Sequence, residues 1–222
     1  PQGGGRKIDP DRVGYNDRGD VAGGLRVSVQ IQAIESMPFA ENSYLVWRDG
    51  AADGVVVDPG FEPDLILDAV RAKKLRVVAV LNTHGHVDHI AGNRAMKAAF
   101  PDAPLVIGRG DAGMLTDPRA NLSATFGFDV TSPPADRLVD EADAVEVAGL
   151  RFEVLEIPGH SPGHVVFLLR EAGVVLGGDV LFAGSIGRTD FPGGSRPQLV
   201  SGIRAKLWPL PDETRVYPGH GP

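Results

Sequence analysis

The chain contains no cysteine. Disulfides, thiolate metal sites and cysteine nucleophiles are therefore excluded, and the composition fits a reducing compartment, so a cytoplasmic protein is expected. Long apolar runs are also lacking: no stretch approaches the ~18 residues a membrane-crossing helix needs. Positive charge is scarce as well, with 22 Lys and Arg against 29 Asp and Glu, and the two signs are interleaved rather than blocked. Nucleic acid and anionic membrane both demand concentrated positive charge, so neither is expected as the main partner. The opening segment has no apolar core of the kind a secretory signal carries.

A chain of 222 residues fits one domain and buries roughly 70% of its unfolded surface without covalent staples. Residues 1–24, beginning Pro1-Gln2-Gly3-Gly4-Gly5, are rich in glycine and charge and are expected to be a disordered leader. The missing initiator methionine is taken as processing or trimming. The folded domain is expected over residues 25–222. Strands are expected at Arg26 to Ile34, Tyr44 to Trp47, Gly54 to Val57, Arg76 to Leu81, Leu105 to Ile107, Arg151 to Ile157, Val165 to Leu169, Val174 to Leu176 and Arg215 to Tyr217. Arg76 to Leu81 is almost continuously apolar, the pattern of a strand covered on both faces. Helices are expected at Glu62 to Lys74, with acids early and bases late as the helix dipole favours, and at Ile90 to Phe100 and Pro197 to Leu207. Residues 109–143 read as a short helix and a long loop bordering a cleft. Strands dominate and helices recur once per half, the signature of two packed sheets with helices outside, in the α+β class.

The chemistry concentrates in Thr83-His84-Gly85-His86-Val87-Asp88-His89, directly after the buried strand. His84 and His86 are two apart, so in an extended segment both rings project to one side. Asp88 and His89 follow where the chain turns into a helix and can come back to the same point. Imidazoles mixed with carboxylates suit zinc, iron or manganese. A polar loop whose histidines merely cap and hydrogen-bond is the bland alternative, and three histidines and an aspartate within six residues weigh against it. All six histidines fall in three places: 84/86/89, 160/164 and 220. The later ones lie in Pro158-Gly159-His160-Ser161-Pro162-Gly163-His164 and Tyr217-Pro218-Gly219-His220, each beside a strand, and Gly177-Gly178-Asp179 ends another strand.

This set of motifs resembles the full ligand series of the metallo-β-lactamase superfamily. The stretch Gly184-Ser185-Ile186-Gly187-Arg188-Thr189-Asp190-Phe191-Pro192 resembles its glyoxalase II-like (hydroxyacylglutathione hydrolase-like) branch, in the short bacterial form. The resemblance covers roughly residues 26–222 and implies a four-layer αββα sandwich with two divalent metal ions at one edge, zinc first and iron or manganese as alternatives. It implies that His84, His86 and His160 hold one metal, that Asp88, His89 and His220 hold the other, and that Asp179 bridges them. His164 matches a less constrained position, supporting the ligands from behind or purely structural. Asp58 stands where the family keeps an acid near the site, either fixing a ligand histidine or forming the Asp-Pro-Gly turn. Arg188 is a candidate substrate contact, with a salt bridge to Asp190 as the bland alternative. Asp88 is taken to disfavour β-lactam hydrolysis. Glyoxalase II enzymes with a C-terminal helical region use it to contact glutathione, and this chain ends just after His220.

The implied reaction is attack of a metal-bridging hydroxide on a thioester such as S-lactoylglutathione, with Asp88 as ligand, orienting group and proton carrier. The implied partner is a small-molecule thioester, a glutathione-linked one among the candidates. The rivals are a mononuclear iron persulfide dioxygenase of the same fold and a lactonase. Dioxygenases of this kind usually follow the last histidine with Asp, where this chain has Gly221; the Gly184 to Pro192 stretch counts against a lactonase.

Overall fold

The computed structural model of the chain describes residues 28–222; the expected leader at 1–24, and Arg26 and Val27 of the first expected strand, lie outside them. Alternating apolar residues build a first sheet of six strands, β1 (Val29–Ser36), β2 (Glu41–Arg48), β3 (Asp53–Val57), β4 (Arg76–Asn82), β5 (Leu105–Gly108) and β6 (Arg137–Val139), in that spatial order. β1, β2 and β3 pair antiparallel, and β3 to β6 run parallel. The second sheet takes β7 (Ala144–Val147), β8 (Leu150–Glu156), β9 (Val165–Leu169), β10 (Val174–Gly178) and β13 (Arg215–Pro218) in the order β13-β10-β9-β8-β7. A two-stranded hairpin, β11 (Leu181–Phe182) and β12 (Ser185–Ile186), stands apart.

The period of two in a strand sorts each apolar run into two faces. Tyr44, Val46, Val55, Val57, Ala79 and Leu81 of the first sheet meet Phe152, Val154, Phe167, Leu169, Val174 and Leu176 of the second in one buried cluster between the sheets. Their sequence neighbours Leu45, Val56 and Val80 point the other way, under helices α1 (Pro63–Lys73) and α3 (Asn93–Ala99). On the far side Val166, Leu168 and Val175 lie under α4 (Arg196–Gly202) and the wider helical turn Ile203–Leu207 that continues it. The result is the expected four-layer αββα sandwich. Each fully buried Leu or Phe contributes about 1.5–3 kcal/mol of hydrophobic stabilisation, which is why a chain without disulfides holds this shape.

α1 starts at Pro63, whose missing N–H would have no partner in the first turn anyway, and stops at Lys74 in a left-handed conformation (φ 56°). The helix expected over Ile90 to Phe100 is broken into α2 (Val87–Ile90) and α3. The cause is tertiary: Gly92 N–H donates to the Pro59 carbonyl at 2.8 Å, and a side chain there would start 2.7 Å from the Gly60 carbonyl. Residues 109–143 hold two 3-10 segments, Arg109–Thr116 and Ser123–Phe126, and the short β6. No described helix is long and apolar enough to cross a membrane.

Candidate metal centre

Strand ends place every candidate residue along one edge of the sandwich. The chain leaves β4 at Asn82 and delivers His84 and His86 before α2 carries Asp88 and His89. His160 lies between β8 and β9, Asp179 follows β10, and His220 follows β13. Four groups have ligand atoms within 4.8 Å of one another: Glu41/Asp58/His89 behind the edge, and at the edge itself His84/His86/His160, His84/His89/Asp179 and Asp88/His89/His220. Asp179 joins them, with one carboxylate oxygen 3.5 Å from His89 Nε2 and the other 3.3 Å from His160 Nε2 and 3.6 Å from His220 Nε2. Asp88 Oδ2 lies 3.2 Å from His220 Nε2.

The donor set fits metal ions on three counts. His84 Nε2, His89 Nε2 and Asp179 Oδ1 are buried and have no hydrogen-bond partner among the described residues, a costly arrangement unless a cation takes them. His86 Nδ1 and His160 Nε2 sit 2.9 Å apart; without a metal one ring must carry the proton between them, and a cation bound there would take both lone pairs instead. Finally, the outward ring nitrogens are held in place. His84 Nδ1 donates to Thr83 Oγ1 at 3.1 Å, because that hydroxyl spends its own proton on Asp58 at 2.6 Å. His89 Nδ1 donates to Asp58 Oδ2 at 3.1 Å, His160 Nδ1 to the Arg188 carbonyl at 2.8 Å, and His220 Nδ1 to the Phe39 carbonyl at 3.2 Å. Each bond fixes a tautomer whose Nε2 lone pair faces the centre. The fold and the cluster together indicate a dinuclear site.

Asp58 therefore does both things weighed for it. It adopts φ 48° in the Asp-Pro-Gly turn, a left-handed state that aspartate tolerates, and its carboxylate holds Thr83 and His89. His164 lies in none of the ligand groups. Its Nε2 accepts the Asp179 N–H at 3.1 Å and its ring stacks on His84 at 4.7 Å, so it supports both from behind. The Arg188 side chain pairs with Asp190 at 2.7–2.8 Å and covers the Phe191 ring at 4.0 Å, while its backbone carbonyl is what reaches ligand His160.

Sequence reading passed over three buried polar residues. Asp111 accepts from Gly85 N–H, Gly163 N–H and the Ser161 hydroxyl at 3.1, 2.6 and 2.5 Å, tying the two histidine-bearing loops together. Glu41 is buried behind His89, its Oε1 3.8 Å from Nδ1, and burial raises its carboxyl well above the usual range. Asn42 donates to the carbonyls of Pro218 and Gly221, which fastens the His220 loop to the first sheet. Of these, only Glu41-Asn42 carried a signal, a polar pair opening an otherwise apolar strand.

Charge divides the centre in two. Burial pushes His84 well below its ordinary value, His86 to about 3, and His160 down as well, so these rings are neutral ligands near pH 7. Burial alone would also lower His89 and His220, but Asp88 and Asp179 outweigh it and raise both. Protons thus hold the second half together where a cation would sit, and metal uptake must displace them. The expected result is proton release on zinc binding and affinity that rises by about tenfold or more from pH 6 to pH 8; competition titration at the two values checks it, and a flat response would contradict it.

Gly219 is the tightest point. A Cβ there would lie 2.2 Å from Asp179 Oδ1 and 2.7 Å from His89 Cε1. Gly219→Ala is expected to lose one or both metal equivalents by elemental analysis while far-UV circular dichroism stays close to the parent's; full metal content would show that the ligands can shift.

The metallo-beta-lactamase superfamily description matches residues 37–220. The chain belongs to that superfamily. Within it, the chain is 34% identical over 195 residues to the hydroxyacylglutathione hydrolase GloC of Haemophilus influenzae, covering 87% of this chain and 91% of GloC. Among solved structures of the superfamily, it is similar to the B3 metallo-beta-lactamase BLEG-1 (TM-score 0.83, 34% identity, 87% of this chain and 92% of that one). It is also similar to TTHA1623 in a di-iron-bound form (TM-score 0.76, 35% identity, 86% and 92%).

Proposed function

We propose that the protein hydrolyses a thioester, with an S-2-hydroxyacylglutathione such as S-lactoylglutathione as the first substrate to test. The observation that carries this reading is the pair of ligand groups joined through Asp179, opening into a cleft of about 380 Å³ lined by His86, Asp88, His160, Asp179 and His220. His84, His86 and His160 would hold one ion, Asp88, His89 and His220 the other, with Asp179 shared; zinc suits these ligands, and iron or manganese would also fit. Such ions supply a water of pKa near 7 and polarise a carbonyl oxygen.

The chain's own residues do the rest. Asp179 lies within 3.6 Å of His160 on one side and of His89 and His220 on the other, whereas Asp88 reaches only His89 and His220 and lines the open cleft. Asp88 is therefore the carboxylate placed to orient the attacking water and accept its proton. Burial would raise its carboxyl, but His89 and the His220 hydrogen bond hold it below the ordinary range, so it is ionised at neutral pH. A thiolate leaves without protonation, and among the described residues no lysine or tyrosine lines the cleft to supply a proton, which favours thioesters over amides. The similarity to GloC supports the same choice.

The experiment is thiol release from S-lactoylglutathione by zinc-loaded protein under nitrogen, beside oxygen uptake with glutathione persulfide and iron-loaded protein. Chelator-sensitive thiol release is expected. Oxygen uptake without thiol release would transfer the protein to the persulfide dioxygenases, and hydrolysis of a β-lactam alone would make it a β-lactamase.

A further inference from the structure

The cleft above the ligands is walled by phenyl rings on both sides. On one side Phe39 packs against Phe126 at 5.3 Å and Phe61 at 5.6 Å, and Phe61 packs against Phe128 at 5.3 Å. Phe39 and Phe126 line the cleft, and Phe126 keeps 44% of its surface exposed although large apolar side chains are usually covered. On the other side Phe191 lies edge-on to His86 at 5.4 Å and Phe182 edge-on to His220 at 6.3 Å, so a ring flanks each half of the metal centre.

Charge is sparse by contrast. Among the described residues Arg188 is the one cation lining the cleft, and it pairs with Asp190 and covers the Phe191 ring. Asn121 also lines the cleft, but its amide donates to the Val130 carbonyl and its oxygen accepts the Ser123 N–H. A small hydroxyacyl group would leave these rings facing water. A substrate arm with an apolar body would cover them on whichever side it lies.

We propose that the cleft selects thioesters whose acyl arm is aromatic or branched and apolar over those with a small arm such as lactoyl. This rests on the thioesterase reading and narrows it. Phe39 and Phe126 are specificity-determining contacts with the acyl arm or, in the reverse orientation, Phe182 and Phe191 are; both walls have the same chemistry.

The test compares S-mandeloyl and S-lactoyl thioesters of one neutral thiol, N-acetylcysteamine, which differ by phenyl for methyl. With zinc-loaded protein, and after division by each ester's hydroxide rate, the mandeloyl kcat/KM is expected to be about tenfold higher or more, that is ~1.4 kcal/mol. Phe126→Ala is expected to shrink that ratio several-fold where the acyl arm lies on the Phe39 wall, and Phe182→Ala where it lies on the other; a ratio unchanged in both variants would overturn the selectivity. Calorimetry with the free acids supplies a readout that needs no turnover, mandelate binding about tenfold tighter than lactate. Turnover of both esters with a ratio near one, and equal binding of the two acids, would overturn the selectivity while leaving the thioesterase standing. Tighter mandelate binding without turnover of either ester would uphold the apolar pocket and remove the thioesterase.

Discussion

Asp88→Asn is expected to lower kcat for thioester hydrolysis by about 10²-fold or more while the protein stays folded. General-base roles are worth roughly 10²–10⁴ in rate, and the amide keeps the size of the carboxylate but cannot accept the proton. The fold does not lean on this side chain: Asp88 sits at the start of α2, its partners are His89 and His220, and its side chain is 15% exposed at the cleft. Matched melting temperatures and a stopped thiol-release assay would therefore appear together. Near-parental activity would remove the role given to Asp88, and unfolding would show that the carboxylate is structural.

The opposite pattern is expected of Asp111→Ala. This carboxylate is buried, touches no metal group, and accepts three hydrogen bonds from the Gly85 loop and the Ser161-Pro162-Gly163 loop. Burial raises its carboxyl, so it sits in a costly place that its donors compensate. Its removal strands two backbone N–H groups and a hydroxyl, and a loss of about 3–5 kcal/mol is expected. Against a typical total of about 5–15 kcal/mol, that shift should show plainly in a urea midpoint. Metal content should fall with it, since His84, His86 and His160 lie on the two loops that Asp111 ties together. A change below about 1 kcal/mol would mean that water or neighbouring groups replace the carboxylate.

These two residues also mark how far the sequence is legible. Asp88 was readable because its partners are adjacent: His86 and His89 stand within two residues, and the strand before them is apolar from Val77 to Leu81. Asp111 was not, because its partners lie 26 residues before it, at Gly85, and 50 residues after it, at Ser161. Asn42 and Gly221 are 179 residues apart, and nothing in either neighbourhood announces the other. The same division holds for the fold. A strand with a clear period of two, β8, and a continuous apolar run, β9, fell close to where expected, and so did the sandwich they build. The break between α2 and α3 did not, because its cause is the approach of Gly92 to Pro59 and Gly60 from another loop. β6, β11 and β12 are only two or three residues long, too short for any period. Arg188 shows a subtler gap: its side chain drew notice, yet its carbonyl is the group that orients His160.

Metal stoichiometry tests the central claim most directly. Seven side chains from separate loops are held to converge on one two-metal centre, so protein stripped with chelator and titrated with zinc should saturate at two equivalents per chain by elemental analysis. His220→Ala should hold the first equivalent and lose the second, because His220 groups with Asp88 and His89 and not with His84, His86 and His160. Saturation at one equivalent in the parent, unchanged by His220→Ala, would contradict the account.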